Sequence, residues 1–206
     1  MSDVHFLTDE ATLLALYGTP GEASIVKEVD HIHPVYRPFI EAAPFCVLAT
    51  AGPDGLDASP RGDGPGFVTV ADERTLLMPD RRGNNRVDSL RNIIADPRVA
   101  LLFLIPGIGE TFRVNGRARI SVDPALKARF AVDGKEPRSV VVISVERVYF
   151  QCSRAVVRAD LWNPDVRIAR TALPSTGGIL AAVSEARVDG DEYDRALAER
   201  VRTTLY

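Results

Sequence analysis

A run of arginines and asparagines is the part of the sequence best suited to chemistry. It reads Met78-Pro-Asp-Arg-Arg-Gly-Asn-Asn-Arg86 and leads into residues 85–95, whose apolar side chains recur at helical spacing. The first turn of a helix has unpaired N–H groups and the positive end of the helix dipole, so arginines there are unfavourable unless an anion binds. The pattern therefore predicts a phosphate site. The alternative is a solvated loop in which Asp80 and Asp88 neutralise the arginines.

The distribution of charge favours the phosphate interpretation. The chain has 206 residues and a net charge of −3, which argues against a dedicated nucleic-acid-binding protein. Its 25 basic residues include 22 arginines. Eight of these arginines lie between positions 80 and 119 beside four acidic residues, so this segment carries a formal charge of +4. Genome composition explains most of the arginine excess, but the local concentration indicates a small anionic ligand.

A second candidate is the arginine in Ser59-Pro-Arg-Gly-Asp63. Glycine lets a backbone approach a ligand closely, so Arg61 in this glycine- and proline-rich corner is suited to binding. An ordinary turn is an equally good interpretation. Trp162, which follows Arg154 and Arg158, is either a core residue or one wall of a site for a planar ligand.

Other common sites are not favoured. All three histidines lie in the first 33 residues, and the sequence contains neither a GxSxG nor a GxxxxGK[ST] motif, so a Ser-His-Asp hydrolase and a P-loop are not expected. His31 and His33 lack an evident third ligand, so no metal is predicted. No apolar stretch reaches the roughly 18 residues of a membrane span, and Cys46 and Cys152 form no CxxC pair. We therefore expect a cytoplasmic protein without a membrane partner.

The pattern of elements predicts three parts. Residues 1–43 are expected to form a helical arm, 44–162 an antiparallel sheet, and 163–206 a helical extension packed on the same domain. The central part shows about six strands in neighbouring hairpins with one helix, at 85–95, among them, and it lacks βαβ alternation. Short antiparallel strands protect their edges by closing into a barrel, so we predict a small antiparallel barrel with helices at both termini.

The motifs also resemble a known family. The resemblance runs over about residues 16–162 and is carried by Ser59-Pro-Arg-Gly-Asp63, Pro79-Asp-Arg-Arg-Gly-Asn84, Leu101-Leu-Phe-Leu-Ile-Pro-Gly107 and Glu110-Thr-Phe-Arg-Val-Asn-Gly-Arg-Ala118. In this order they resemble the pyridoxamine 5′-phosphate oxidase-like FMN-binding split-barrel superfamily, and within it the branch of probable FMN-dependent enzymes of unassigned substrate.

The resemblance implies a mainly β (α+β) fold, a six-stranded antiparallel split β-barrel, and a homodimer with FMN at the subunit interface. It places a phosphate-binding arginine at Arg61, a phosphate loop at 79–86 and a polar residue near the flavin ring at Thr111. It also implies that a C-terminal element around Trp162 reaches the partner subunit's flavin. The cofactor-binding residues predicted in this way are Arg61, Pro79, Asp80, Arg81, Arg82, Asn84, Asn85, Arg86, Thr111, Arg154, Arg158 and Trp162.

Two departures from the family pattern bear on the substrate. Gly66 stands where pyridoxamine-phosphate oxidases carry a lysine, and residues 125–133 contain no match to their Tyr-x-x-x-Arg-x-x-x-Ser motif. Oxidation of vitamin B6 is therefore not favoured.

Two functions are compatible with these residues. The first is an FMN-dependent oxidoreductase that transfers a hydride or electrons between flavin N5 and an unknown small molecule. Since no residue is a convincing proton-transfer base, no catalytic residue is assigned. The alternative is a binding or carrier protein for FMN, haem or a deazaflavin that does not turn over.

Overall fold

The centre of the chain folds into one antiparallel sheet of seven strands. The computed structural model describes residues 5–206. The strands are β1 Phe45–Gly52, β2 Gly55–Gly62, β3 Thr69–Asp72, β4 Thr75–Asp80, β5 Arg98–Leu104, β6 Thr111–Ser121 and β7 Ser139–Gln151. Their order across the sheet is β2-β1-β5-β6-β7-β4-β3, and every pairing is antiparallel.

The predicted fold class is confirmed, but the number of strands is seven rather than six. β3 pairs with β4 at one edge of the sheet, and β4 in turn pairs with β7. The β3–β4 hairpin therefore extends the sheet beyond β7.

Helices lie at both ends of the chain and in two of the connections between strands. They are α1 Glu10–Tyr17, α2 Glu22–Ile25, α3 Arg37–Ala42, α4 Asp88–Ala95, α5 Pro124–Ala128, α6 Arg154–Arg158, α7 Thr176–Val183 and α8 Gly190–Thr203. Between α6 and α7 the chain forms two 3₁₀ turns, Pro164–Val166 and Arg170–Ala172.

The sheet curls around a single core. Alternate side chains of β1 and β5 are buried, as expected for strands with one face towards the interior. Leu48 of β1 and Val70 of β3 come from strands near opposite ends of the strand order, yet they belong to one buried cluster. Ile40 of α3 and Ile93 of α4 complete this cluster. The sheet therefore forms a barrel-like layer, with helices packed at its open sides.

The tight β6–β7 pairing depends on one glycine. The register shifts between Asn115 and Gly116, which marks a bulge in this long hairpin. A Cβ atom at Gly116 would overlap the backbone oxygen of Ser144. Glycine is needed here for the close approach of two backbones.

The terminal helices contribute less to the core. No residue of α1 is buried within the described chain. The helices α7 and α8 pack against each other, and Gly177 donates its N–H to Asp194 Oδ1 at 2.7 Å. In residues 5–206, no helix has the length and apolar character to cross a membrane. The three-part division at residues 43 and 162 stays a prediction.

Candidate functional site

A cleft of about 710 Å³ opens between β2, the end of β4, the following loop and the start of α4. Four strands separate β2 from β4 in the sheet order, so the curl of the sheet is what places Arg61 opposite Asp80. Eight predicted cofactor-binding residues line this cleft: Arg61, Pro79, Asp80, Arg81, Arg82, Asn84, Asn85 and Arg86.

The other four predicted residues lie elsewhere in the chain. Thr111 is the first residue of β6 and pairs with Gln151 at the end of β7. Trp162 donates its indole N–H to the backbone oxygen of Ile108 at 2.7 Å. Arg154 and Arg158 are exposed at the two ends of α6. The structure of one chain thus divides the predicted residues into two groups, and only the first lines the cleft.

The N-terminus of α4 forms one side of the cleft. Residues 87–90 line it, and no side chain in the described part of the chain caps the helix at Val87. The N–H of Asp88 donates to the Arg86 oxygen at 2.6 Å, so the N–H groups of Ser89 and Leu90 and the positive end of the helix dipole are what this turn contributes to the cleft wall. This arrangement favours an anionic ligand.

Arg81 is held by the protein itself. Its Nε donates to Asp63 Oδ2 at 2.7 Å and its Nη1 to the backbone oxygen of Phe130 at 2.6 Å. The Tyr206 hydroxyl donates to Asp63 Oδ1 at 2.6 Å, and the Tyr206 ring lies 5.5 Å from the guanidinium. Burial raises the pKa of Asp63, but the hydrogen bonds from Tyr206, Gly64 N–H and Arg81 outweigh it and lower this pKa overall. Arg81 therefore fixes the wall of the cleft, and two of its nitrogens are already occupied.

The remaining arginines of the cleft differ in how they are neutralised. The Nε of Arg86 lies 2.5 Å from Asp88 Oδ2, and this bond raises the pKa of Arg86. Arg61, Arg82 and Arg138 form no ion pair with a carboxylate among residues 5–206. The solvated-loop alternative predicts that aspartates neutralise the arginines, and this is found for Arg86. The other three arginines of this comparison remain available to a ligand.

Asp80 is the acidic residue placed among these cations. Burial raises the pKa of its carboxyl, while the positive charges of Arg61 and Arg138 act in the opposite direction. Its strand partner is Ser139, so the β4–β7 pairing brings residues 138–139 to the cleft.

A small hydrogen-bonded network holds α4 against β2. Asp57 on β2 accepts from the hydroxyl of Ser89 at 2.6 Å and from that of Ser59 at 2.9 Å. Ser89 is buried at the start of α4. This network fixes the distance between Arg61 on β2 and the first turn of the helix.

Sequence reasoning did not single out several residues of the cleft. Ser59 and Ser89 lie within a few residues of the two arginine motifs, and this closeness in the sequence was the available signal. Arg138 had no local signal, because it precedes a strand that is distant in sequence from both motifs.

Removal of the Ser89 hydroxyl should destabilise the fold moderately. Ser89→Ala deletes the hydrogen bond that the buried Ser89 donates to the half-buried Asp57 carboxylate, so we expect the free energy of unfolding to fall by about 1–3 kcal/mol. Urea denaturation measures this loss. The control Ser24→Ala, in exposed α2, should change the stability by less than about 0.5 kcal/mol. Equal effects of the two substitutions would contradict the role given to the Asp57–Ser89 contact.

The family of the chain follows from its sequence. A family model described as pyridoxamine 5′-phosphate oxidase matches residues 32–152, more than half of the chain. The protein therefore belongs to the pyridoxamine 5′-phosphate oxidase family. No curated protein matches the sequence.

The chain is also similar to several solved structures. HupZ from Group A Streptococcus is 19% identical with a TM-score of 0.50, and the match covers 59% of this chain and 95% of HupZ. General stress protein 26 from Bacillus anthracis is 18% identical with a TM-score of 0.41, covering 55% and 88% of the two chains. A related protein of the pyridoxinephosphate oxidase family from Clostridium acetobutylicum is 13% identical with a TM-score of 0.42, covering 56% and 84%. At these identities the likeness to HupZ concerns the fold alone.

Proposed function

We propose that this protein binds FMN in the cleft between β2 and α4 and acts as an FMN-dependent oxidoreductase. The observation that carries the proposal is the meeting of Arg61, Arg82 and Arg138 with the uncapped first turn of α4 in one cleft. Guanidinium groups and helix N–H groups are the donors that phosphate prefers. Membership of the pyridoxamine 5′-phosphate oxidase family supports FMN as the phosphate-bearing ligand.

The cleft fits a ligand of this kind. Its volume of about 710 Å³ lies within the roughly 300–1,000 Å³ of small-molecule sites. Arg61 and Arg82 would hold the phosphate, and the Asp57–Ser89 contact would keep the helix N-terminus at the required distance. Arg81, bound to Asp63, would orient the loop rather than donate to the ligand through its Nε.

The residues of the cleft would bind and orient the cofactor rather than exchange protons. No histidine lines it, and its three aspartates are Asp57, bound to two serines, Asp88, paired with Arg86, and Asp80. When bound, FMN would supply hydride or electron transfer at its N5. The protein would contribute binding, orientation and exclusion of water around a small-molecule substrate.

A homodimer would bring the second group of predicted residues to the cleft. Thr111, Arg154, Arg158 and Trp162 lie away from it in their own chain, so they would act on the flavin of the partner subunit. The outer face of β1 and β5 supports such an association, because Phe45 pairs with Leu104 and Val47 with Leu102 there, and all four side chains remain partly exposed.

The experiment is the absorption spectrum of the purified protein, followed by thermal melting with FMN and with riboflavin. We expect a flavin spectrum and a rise in melting temperature with FMN that riboflavin, which lacks the phosphate, does not produce. A colourless protein whose melting temperature is unchanged by FMN would refute the proposal. A haem or deazaflavin spectrum would mean that the protein binds that cofactor instead of FMN.

A second candidate function is flavin binding without turnover. It is favoured by the lack of an unpaired proton-transfer group other than Asp80 among the described residues of the cleft. Reduction of the bound flavin by NAD(P)H, and its reoxidation by an acceptor, would distinguish the enzyme from the carrier. A bound flavin that resists every donor would favour the carrier.

A further inference from the structure

A second, smaller cavity lies beside the cleft. It has a volume of about 360 Å³, and Arg82, Lys135, Arg138 and Tyr206 are among its lining residues. We call it the side pocket. Arg82 and Arg138 line both cavities, whereas Arg61 lines only the cleft and Lys135 only the side pocket.

The charges around the side pocket are unbalanced. Arg81 is paired with Asp63. Glu136 is the acidic residue that lines the pocket, and its Oε2 lies 3.5 Å from Lys127 Nζ. Arg82 and Arg138 have no Asp or Glu carboxylate within ion-pair distance in the part of the chain that the structure describes, and the partner of Lys135 there is a main-chain oxygen of Tyr206 rather than an acidic side chain. Three like charges around a small cavity repel one another, and a concave wall focuses their field. An anion in the pocket would relieve this repulsion.

The surrounding contacts hold these cations in place. Arg138 donates from Nη1 to Asn85 Oδ1 at 2.8 Å, which orients its guanidinium and leaves other N–H donors for a ligand. The Tyr206 ring covers Arg81, and its hydroxyl is fixed to Asp63, so Tyr206 forms one wall. Lys135 Nζ lies 3.5 Å from the backbone oxygen of Tyr206 at the edge of the pocket.

We infer that the side pocket binds a second phosphate group, separate from the phosphate of the proposed flavin. The volume of about 360 Å³ lies within the roughly 300–1,000 Å³ of small-molecule sites, which is enough for a phosphate with its first waters. The group would come either from a free phosphate compound or from a second phosphate of the ligand in the cleft, since the two cavities share Arg82 and Arg138.

The test compares Lys135→Gln with Lys27→Gln. Both substitutions remove one positive charge, but Lys27 Nζ lies over the Phe150 ring, outside both cavities. Inorganic phosphate is titrated into FMN-saturated protein and followed by ³¹P NMR, in which free phosphate and FMN phosphate give separate signals. The affinities of FMN and FAD are measured on the same variants, and circular dichroism checks their folding.

If a free phosphate occupies the pocket, Lys135→Gln should weaken phosphate binding about tenfold, the effect of one charge-assisted hydrogen bond, and Lys27→Gln should not. If the group is a second phosphate of the cleft ligand, Lys135→Gln should weaken FAD about tenfold and leave FMN unchanged. The inference is overturned if Lys135→Gln behaves like Lys27→Gln in both titrations.

The result is independent of the proposed flavin function. Should FMN not bind at all, the phosphate titration is repeated on the protein alone. Lys135→Gln must then still weaken binding more than Lys27→Gln, because Lys135 is not a residue of the flavin cleft. Loss of FMN binding with a retained Lys135 effect would refute only the flavin proposal.

Discussion

Replacing Arg61 with glutamate should lower the affinity for FMN by at least about 100-fold. Arg61 is half-buried on β2, and its Nη1 donates to the Pro60 oxygen at 2.9 Å, so it contributes a positioned cation to the cleft. The substitution removes a charge-assisted contact of about 1.5–3 kcal/mol and adds a repelling carboxylate, and each 1.4 kcal/mol is tenfold in affinity. Titration of the protein into FMN, followed by flavin fluorescence, measures the loss.

Two further variants control this result. Arg195→Glu makes the same change of charge on exposed α8, outside the cleft, and should leave the affinity within about twofold. Arg86→Glu should have an intermediate effect, because Arg86 lines the cleft but is already paired with Asp88. If Arg61→Glu and Arg195→Glu weaken FMN equally, the cleft has been wrongly assigned.

Replacing Arg81 with methionine should destabilise the protein by about 3–5 kcal/mol. The Arg81 and Asp63 side chains are only 18% and 10% exposed, and the substitution leaves the Asp63 carboxylate buried without its cation. It also removes the hydrogen bond to the Phe130 oxygen. Urea denaturation at neutral pH measures the loss. A second substitution, Asp63→Asn, should recover part of it, because the unpaired charge is then gone.

The matched control is an exposed pair. Arg37 and Glu41 also lie 2.7 Å apart, but they are 51% and 40% exposed, so Arg37→Met should cost about 0–1 kcal/mol. A loss for Arg81→Met as small as that for Arg37→Met would contradict the structural role of the Arg81–Asp63 pair.

The cost of Arg81→Met should also depend on pH. The pKa of Asp63 is below its ordinary value of 3.8 in the fold, so the stability from this carboxylate is present above that pH and is lost as the pH falls through the folded-state pKa. The difference between wild type and Arg81→Met should therefore narrow below about pH 4. Denaturation curves at several pH values provide the measurement.

Much of the fold was accessible from local patterns. The alternation of apolar residues predicted the strands β1, β5, β6 and β7, and the spacing of Val87, Leu90 and Ile93 predicted α4. The apolar runs on either side of residues 72–74 also predicted the short β3–β4 hairpin, but the total of seven strands in one sheet depends on pairings that the sequence does not show.

The arginine preference and the two arginine motifs at 59–63 and 78–86 were determined by the sequence alone, because residue type and spacing along one chain express them directly. Only the tertiary structure decided that the two motifs share one cleft, since the approach of β2 to β4 results from the curl of a whole sheet around a common core. The same curl brought in Asp57, Ser89 and Arg138. The tertiary structure also decided which arginines remain available to a ligand. The pairing of Arg81 with Asp63 and of Arg86 with Asp88 depends on distances in the fold, which the order of residues does not specify.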